Sequence, residues 1–113
     1  VASSDYDALI LPGGQINPDV LRTNDSAVSF IKSAYTEQKI KAIGAICHGP
    51  WLLAEADLAE DKQLTSFPSI KTDLLNAGAH WKDEEVVQDG KLVTSRNPND
   101  IPAFVAAISK LIE

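Results

Sequence analysis

The sequence predicts an α/β domain, a mostly parallel sheet covered by helices on both faces with a small antiparallel hairpin. Three observations predict it. Short apolar runs closed by Pro and Gly alternate with amphipathic segments of helical period, the pattern of βα units. An Asp89-Gly90 pair lies between two β-prone runs, which is a hairpin signal. A length of 113 residues, with 44% hydrophobic and 23% charged residues, suits one core rather than two. Residues 1–113 are therefore expected to form a single domain, without internal repeats or linkers.

Each element follows from its local chemistry. Ala8-Leu9-Ile10-Leu11 is an apolar run stopped by Pro12-Gly13-Gly14, hence a buried strand ending in a tight turn. Asn17-Pro18-Asp19 carries an N-cap, a first-turn proline and a first-turn acid, so a short helical turn is expected to about Arg22. A longer helix starts near Asn24, with Ala27, Ile31, Ala34 and Tyr35 on one face. Ala42 to Ile46 is a second buried strand, running into Cys47-His48-Gly49-Pro50, and Trp51 to Ala56 is helical. Leu64 to Phe67 is a brief strand, and Ser69 to Ala77 a helix closed by Gly78. Glu85 to Gln88 and Lys91 to Ser95 form the hairpin around Asp89-Gly90, and His80 and Trp81 fall in a polar turn. The last helix begins near Asp100, with Ile101, Phe104, Val105, Ile108, Leu111 and Ile112 on one face.

Charge and composition narrow the function. A formal net charge of −6 and a pI near 4.8 argue against nucleic acid and against an anionic membrane surface as partners. No apolar run nears the roughly 20 residues of a membrane span, and no signal peptide is visible. The single cysteine excludes an internal disulfide and suits a reducing, cytoplasmic setting. One Cys and two His make a closed zinc site an unlikely fit, so neither metal nor cofactor is expected. The sequence contains no Met and begins Val1-Ala2-Ser3-Ser4, so the chain is expected to be a processed product or a piece of something longer.

The chemistry centres on Cys47. By type alone a lone cysteine is most often a core residue. Its position points elsewhere, because it ends an apolar strand and precedes Gly-Pro and a helix. A sharp strand–turn–helix lifts a side chain above the sheet, as in nucleophile elbows. In open α/β sheets the crevice lies beyond the carboxyl ends of the strands, where the turns after Leu11 and Ile46 both sit. A helix start and an adjacent imidazolium favour thiolate over thiol. His48 is the candidate base, which needs a partner on its other ring nitrogen. The backbone amides of Gly14 and His48 are candidate oxyanion donors. Asp19 is by itself a helix-start acid, Glu55 a solvated position, Arg96 a surface ion-pair residue, and Tyr35 and Trp51 packing residues.

Four segments in order resemble the ThiJ/PfpI family of the class I glutamine amidotransferase-like superfamily. They are Asp7-Ala8-Leu9-Ile10-Leu11-Pro12-Gly13-Gly14, Ala45-Ile46-Cys47-His48-Gly49-Pro50, Thr65-Ser66-Phe67-Pro68-Ser69-Ile70 and Thr94-Ser95-Arg96-Asn97-Pro98. The resemblance implies a flavodoxin-like three-layer sandwich with Cys47 as nucleophile. Phe67, at a place where some branches carry His or Tyr, favours the PfpI-like branch, in which His48 is the base. There the acid that orients the base comes from an adjacent subunit, which implies Asp19 in a homo-oligomer with the site near a subunit interface. The oxyanion amides implied are those of Gly14 and His48. The N-terminal strand and helix of the family, with a glutamate that contacts the cysteine, precede the segment matched here and are absent from this chain. The activity implied is that of a cysteine-dependent hydrolase on a peptide, or of a glyoxalase or deglycase on a small reactive carbonyl. The alternative is a non-catalytic stress-response, redox-sensing or chaperone-like protein using the same cysteine.

Overall fold

The structure is a computed structural model that describes residues 8–11, 25–36 and 40–112. Four strands form the main sheet: β1 (Ala8–Leu11), β2 (Ala42–Ile46), and the later pair β5 (Val87–Asp89) and β6 (Leu92–Ser95). Their order is β1-β2-β6-β5. β1, β2 and β6 run parallel, and β5 closes the hairpin antiparallel to β6. A two-stranded parallel ribbon, β3 (Gln63–Leu64) with β4 (His80–Trp81), flanks it. The helices are α1 (Asp25–Thr36), α2 (Pro50–Glu55), α3 (Lys71–Asn76) and α4 (Ile101–Ile112), with 3-10 turns at Pro68–Ile70 and Pro98–Asp100.

Alternation along the strands builds three layers. Ile43, Ala45 and Leu92 join Ile31, Leu52, Leu53 and Leu74 of α1, α2 and α3 in the larger core. Ala42 and Val93 face the other way and meet Phe104 and Ile108 of α4. Each fully buried Leu or Ile here contributes roughly 1.5–3 kcal/mol relative to an exposed one. This is the flavodoxin-like α/β arrangement expected from the sequence. Among the described residues no helix is long and apolar enough to cross a membrane.

The departures are local. His80 and Trp81 form a strand rather than a polar turn, because Lys62 and Leu64 carbonyls accept from the amides of His80 and Lys82. The strand expected over Leu64 to Phe67 ends at Leu64. The Thr65 amide instead donates to the Thr94 hydroxyl, and the Phe67 amide to the Cys47 carbonyl. The helix expected from Ser69 splits into the 3-10 turn and α3. In the hairpin Asp89 pairs with Leu92, so the turn is Gly90-Lys91, with Gly90 at φ 61°. The Asp89 carboxylate is occupied by the Gln63 amide instead. The apolar arc of α4 is wider than the strip the sheet covers: Phe104 and Ile108 are buried, but Ile101, Val105 and Ile112 are exposed. The short turn expected at Asn17-Pro18-Asp19 lies outside the described residues.

Candidate active site

β2 delivers Cys47 to the carboxyl edge of the sheet. The residue sits in a turn, not within a helix, and is only partly buried. Its φ of 63° is a left-handed conformation that a side chain adopts at a cost, and such strain concentrates at functional positions. Two hydrogen bonds hold it: the Cys47 amide donates to the Ser95 carbonyl at 3.0 Å, and its carbonyl accepts from the Phe67 amide at 2.9 Å. Gly49 closes the turn by close approach. A Cβ there would overlap the carbonyl oxygen of Leu11, so only glycine lets the end of β1 abut the elbow. The carboxyl ends of β1 and β2 are thus adjacent, as parallel pairing requires.

The turn brings the two neighbouring side chains together. Cys47 Sγ lies 3.3 Å from His48 Nδ1. The other nitrogen, His48 Nε2, lies 3.1 Å from Ser69 Oγ. The ring is buried and bracketed by aromatics. Phe67 stacks on it at 5.1 Å and 26°, and Trp51 tilts against it at 5.1 Å and 56°. Trp51 is anchored in turn by its indole N–H to Asp73 at 2.8 Å. An imidazole held on both nitrogens beside an accessible thiol can accept the thiol proton and return it to a product atom.

Of the residues singled out from the sequence, Cys47 and His48 come together. Gly14 and Asp19 lie outside the described residues. Arg96 does pair at the surface, but more firmly than expected: it binds Asp83 and, through its backbone amide, Nε and Nη2, the buried Asp100. The Arg96 guanidinium holds the Asp100 carboxyl below the usual carboxylate range, against the opposing effect of burial. Ser69 was not visible as a site residue, because a serine after proline signals a helix start. Trp51 packs on the histidine as well as against the core, and the exposed Phe67 covers the other part of the ring. Among the described residues no three His, Cys, Asp or Glu side chains cluster as metal ligands.

The model of the DJ-1/PfpI family matches residues 1–111. The chain is 50% identical over 104 residues to "Putative cysteine protease YraA" of Bacillus subtilis, covering 92% of this chain and 60% of that protein. It is 42% identical over 113 residues to "Deglycase PH1704" of Pyrococcus horikoshii, covering 100% of this chain and 66% of that one. The chain therefore spans about two thirds or less of the length of these curated relatives. Among solved structures, the two-domain protein with DJ-1/ThiJ/PfpI-like and ferritin-like domains from Anabaena variabilis superposes with a TM-score of 0.92 at 43% identity. It covers 97% of this chain and 31% of that one. By the family model and these identities, the chain belongs to the DJ-1/PfpI family.

Proposed function

We propose that this protein is a cysteine-dependent enzyme of the hydrolase type in which Cys47 attacks a carbonyl carbon and His48 moves the proton. The observation that carries the reading is the strained, accessible Cys47 with its sulfur 3.3 Å from His48 Nδ1. In the first covalent step the thiol proton passes to Nδ1 and the sulfur electron pair forms the C–S bond. The carbonyl π pair moves onto oxygen, which then takes the proton back from Nδ1. The amides of Gly14 and His48 are the proposed donors to that oxygen. Asp19 of a second copy is the proposed carboxylate near His48, which makes a homo-oligomer part of this reading.

The favoured substrates are small reactive carbonyls and their adducts, in line with relatives named "Deglycase PH1704" and "Protein/nucleic acid deglycase 2" of Escherichia coli. A peptide carbonyl is the second reading, favoured by the identity to YraA. A reactive-cysteine role in stress is the third, favoured by 49% identity over 115 residues to "General stress protein 18" of Bacillus subtilis. Methylglyoxal consumption and peptide hydrolysis by wild type and Cys47→Ala test the proposal. The variant is expected to lose at least about 10³-fold in the active assay, the scale of losing a nucleophile. Turnover by the variant at the wild-type rate sinks it.

A further inference from the structure

We infer that Ser69 is a positioning residue for His48, supplied by the same chain as the nucleophile. The inference rests on the Cys47–His48 reading and deepens it. An imidazole has two nitrogens, and here both are engaged: Nδ1 by Cys47 Sγ at 3.3 Å, and Nε2 by Ser69 Oγ at 3.1 Å. For Nδ1 to receive the thiol proton it must carry a lone pair, so in the neutral ring the proton resides on Nε2. Nε2–H then donates to the Ser69 oxygen. After transfer the S–H bond is broken, the Nδ1–H bond is formed, and the imidazolium still donates from Nε2 to the same oxygen. Ser69 is thus an acceptor before and after the step. The exchange between Sγ and Nδ1 proceeds without moving the second proton, the part an acid plays toward histidine in a triad.

The placement of Ser69 is not incidental to the elbow. It lies in the 3-10 turn Pro68–Ile70, whose preceding residue donates its amide to the Cys47 carbonyl at 2.9 Å. That same residue, Phe67, stacks on the His48 ring at 26°. One short segment therefore touches the nucleophile's backbone, the face of the base and its distal nitrogen. The buried Ile70 side chain anchors the segment from below. A hydroxyl differs from a carboxylate in consequence: it accepts the Nε2 proton without adding a negative charge, so it orients the ring more than it charges it. The distal nitrogen is served within one protomer, whatever Asp19 of another copy adds.

The test is the pH profile of Cys47 alkylation by iodoacetamide in the full chain, with methylglyoxal consumption measured beside it, for wild type, Ser69→Ala and Ser69→Thr. Ser69→Ala is expected to alkylate about fivefold more slowly near neutral pH, the factor one net hydrogen bond carries. It should converge with wild type at alkaline pH, where the thiolate forms without help. Ser69→Thr, which keeps the hydroxyl, should stay within about twofold of wild type. Superimposed profiles for Ser69→Ala and wild type overturn the inference. So does a threonine variant as slow as the alanine one, because shape rather than the hydroxyl would then matter. Failure of the enzymatic reading looks different: wild type alkylates normally but turns over neither methylglyoxal nor peptide, and the alkylation profiles still judge Ser69.

Discussion

Gly49→Ala isolates what the elbow requires of its third residue. The backbone there, φ −51° and ψ −38°, is ordinary right-handed helix. On backbone grounds alone alanine stabilises such a position by about 0.4–1 kcal/mol, by narrowing the unfolded ensemble. The new Cβ, however, overlaps the Leu11 carbonyl oxygen and lies 3.0 Å from that of Ile46. Both are main-chain atoms of paired strands, so no side chain can swing aside. Overpacking costs about 1–3 kcal/mol, and a collision with main chain belongs at the upper end. The net expectation is a loss of about 2 kcal/mol. For a domain of 113 residues that lowers the melting temperature by roughly 8 °C. Thermal and urea unfolding measure it, and Cys47 alkylation reports whether the elbow has moved. A variant as stable as wild type, or more so, refutes the steric reasoning.

The same logic predicts a milder effect at Gly44, where a Cβ would meet Ile108 Cδ1 at 2.5 Å and Phe104 Cζ at 2.7 Å. These are side-chain ends, so Gly44→Ala should cost about 1–2 kcal/mol by urea unfolding, less than Gly49→Ala; the reverse order contradicts the argument. Thr94 Oγ1 accepts from the Thr65 amide at 2.9 Å and donates to the Val87 carbonyl at 3.3 Å, all buried. Thr94→Val keeps the shape and strands the amide, for an expected loss of about 1–3 kcal/mol; an unchanged urea midpoint would count against it. The Asp100 carboxyl is depressed by Arg96, so its stabilisation is present above the unfolded carboxylate value, about 3.9, and fades as pH falls through the folded value. Asp100→Asn should be less stable than wild type at neutral pH, and the two should converge below about pH 4. Parallel curves across that range would show that the charge is immaterial.

Much of the fold was legible because its strands are short apolar runs that end on Pro or Gly. Ala8–Leu11 and Ala42–Ile46 have the bounds expected, and α1 lies where the spacing of Ile31 and Ala34 puts it. The errors fall where long-range partners override local pattern. His80–Trp81 is too short to show alternation, and becomes a strand only because Gln63–Leu64 lies beside it. The hairpin turn lies one residue later than expected because Asp89 itself pairs with Leu92, while its carboxylate accepts from the Gln63 amide. In the site, the strand–turn–helix at Cys47 was legible from Ile46-Cys47-His48-Gly49-Pro50 alone. Ser69 was not, since 21 residues separate it from His48 and long-range contacts, among them the Phe67–Cys47 backbone bond and the Phe67–His48 stack, bring it back. Asp19 rests on the resemblance and Gly14 also on its place in the glycine turn after Leu11; both lie outside the described residues.

Under the proposed function, residue 47 sets backbone comfort against chemistry. A left-handed backbone is comfortable for glycine and costs a branched-out side chain roughly 1–2 kcal/mol. Strand β6, through the Ser95 carbonyl, and the segment at Phe67 hold Cys47 by its amide and its carbonyl. Among the described residues Cys47 shares a left-handed backbone with Asp57 and Asp61, and in the proposed function it is the one of the three whose side chain is asked to react.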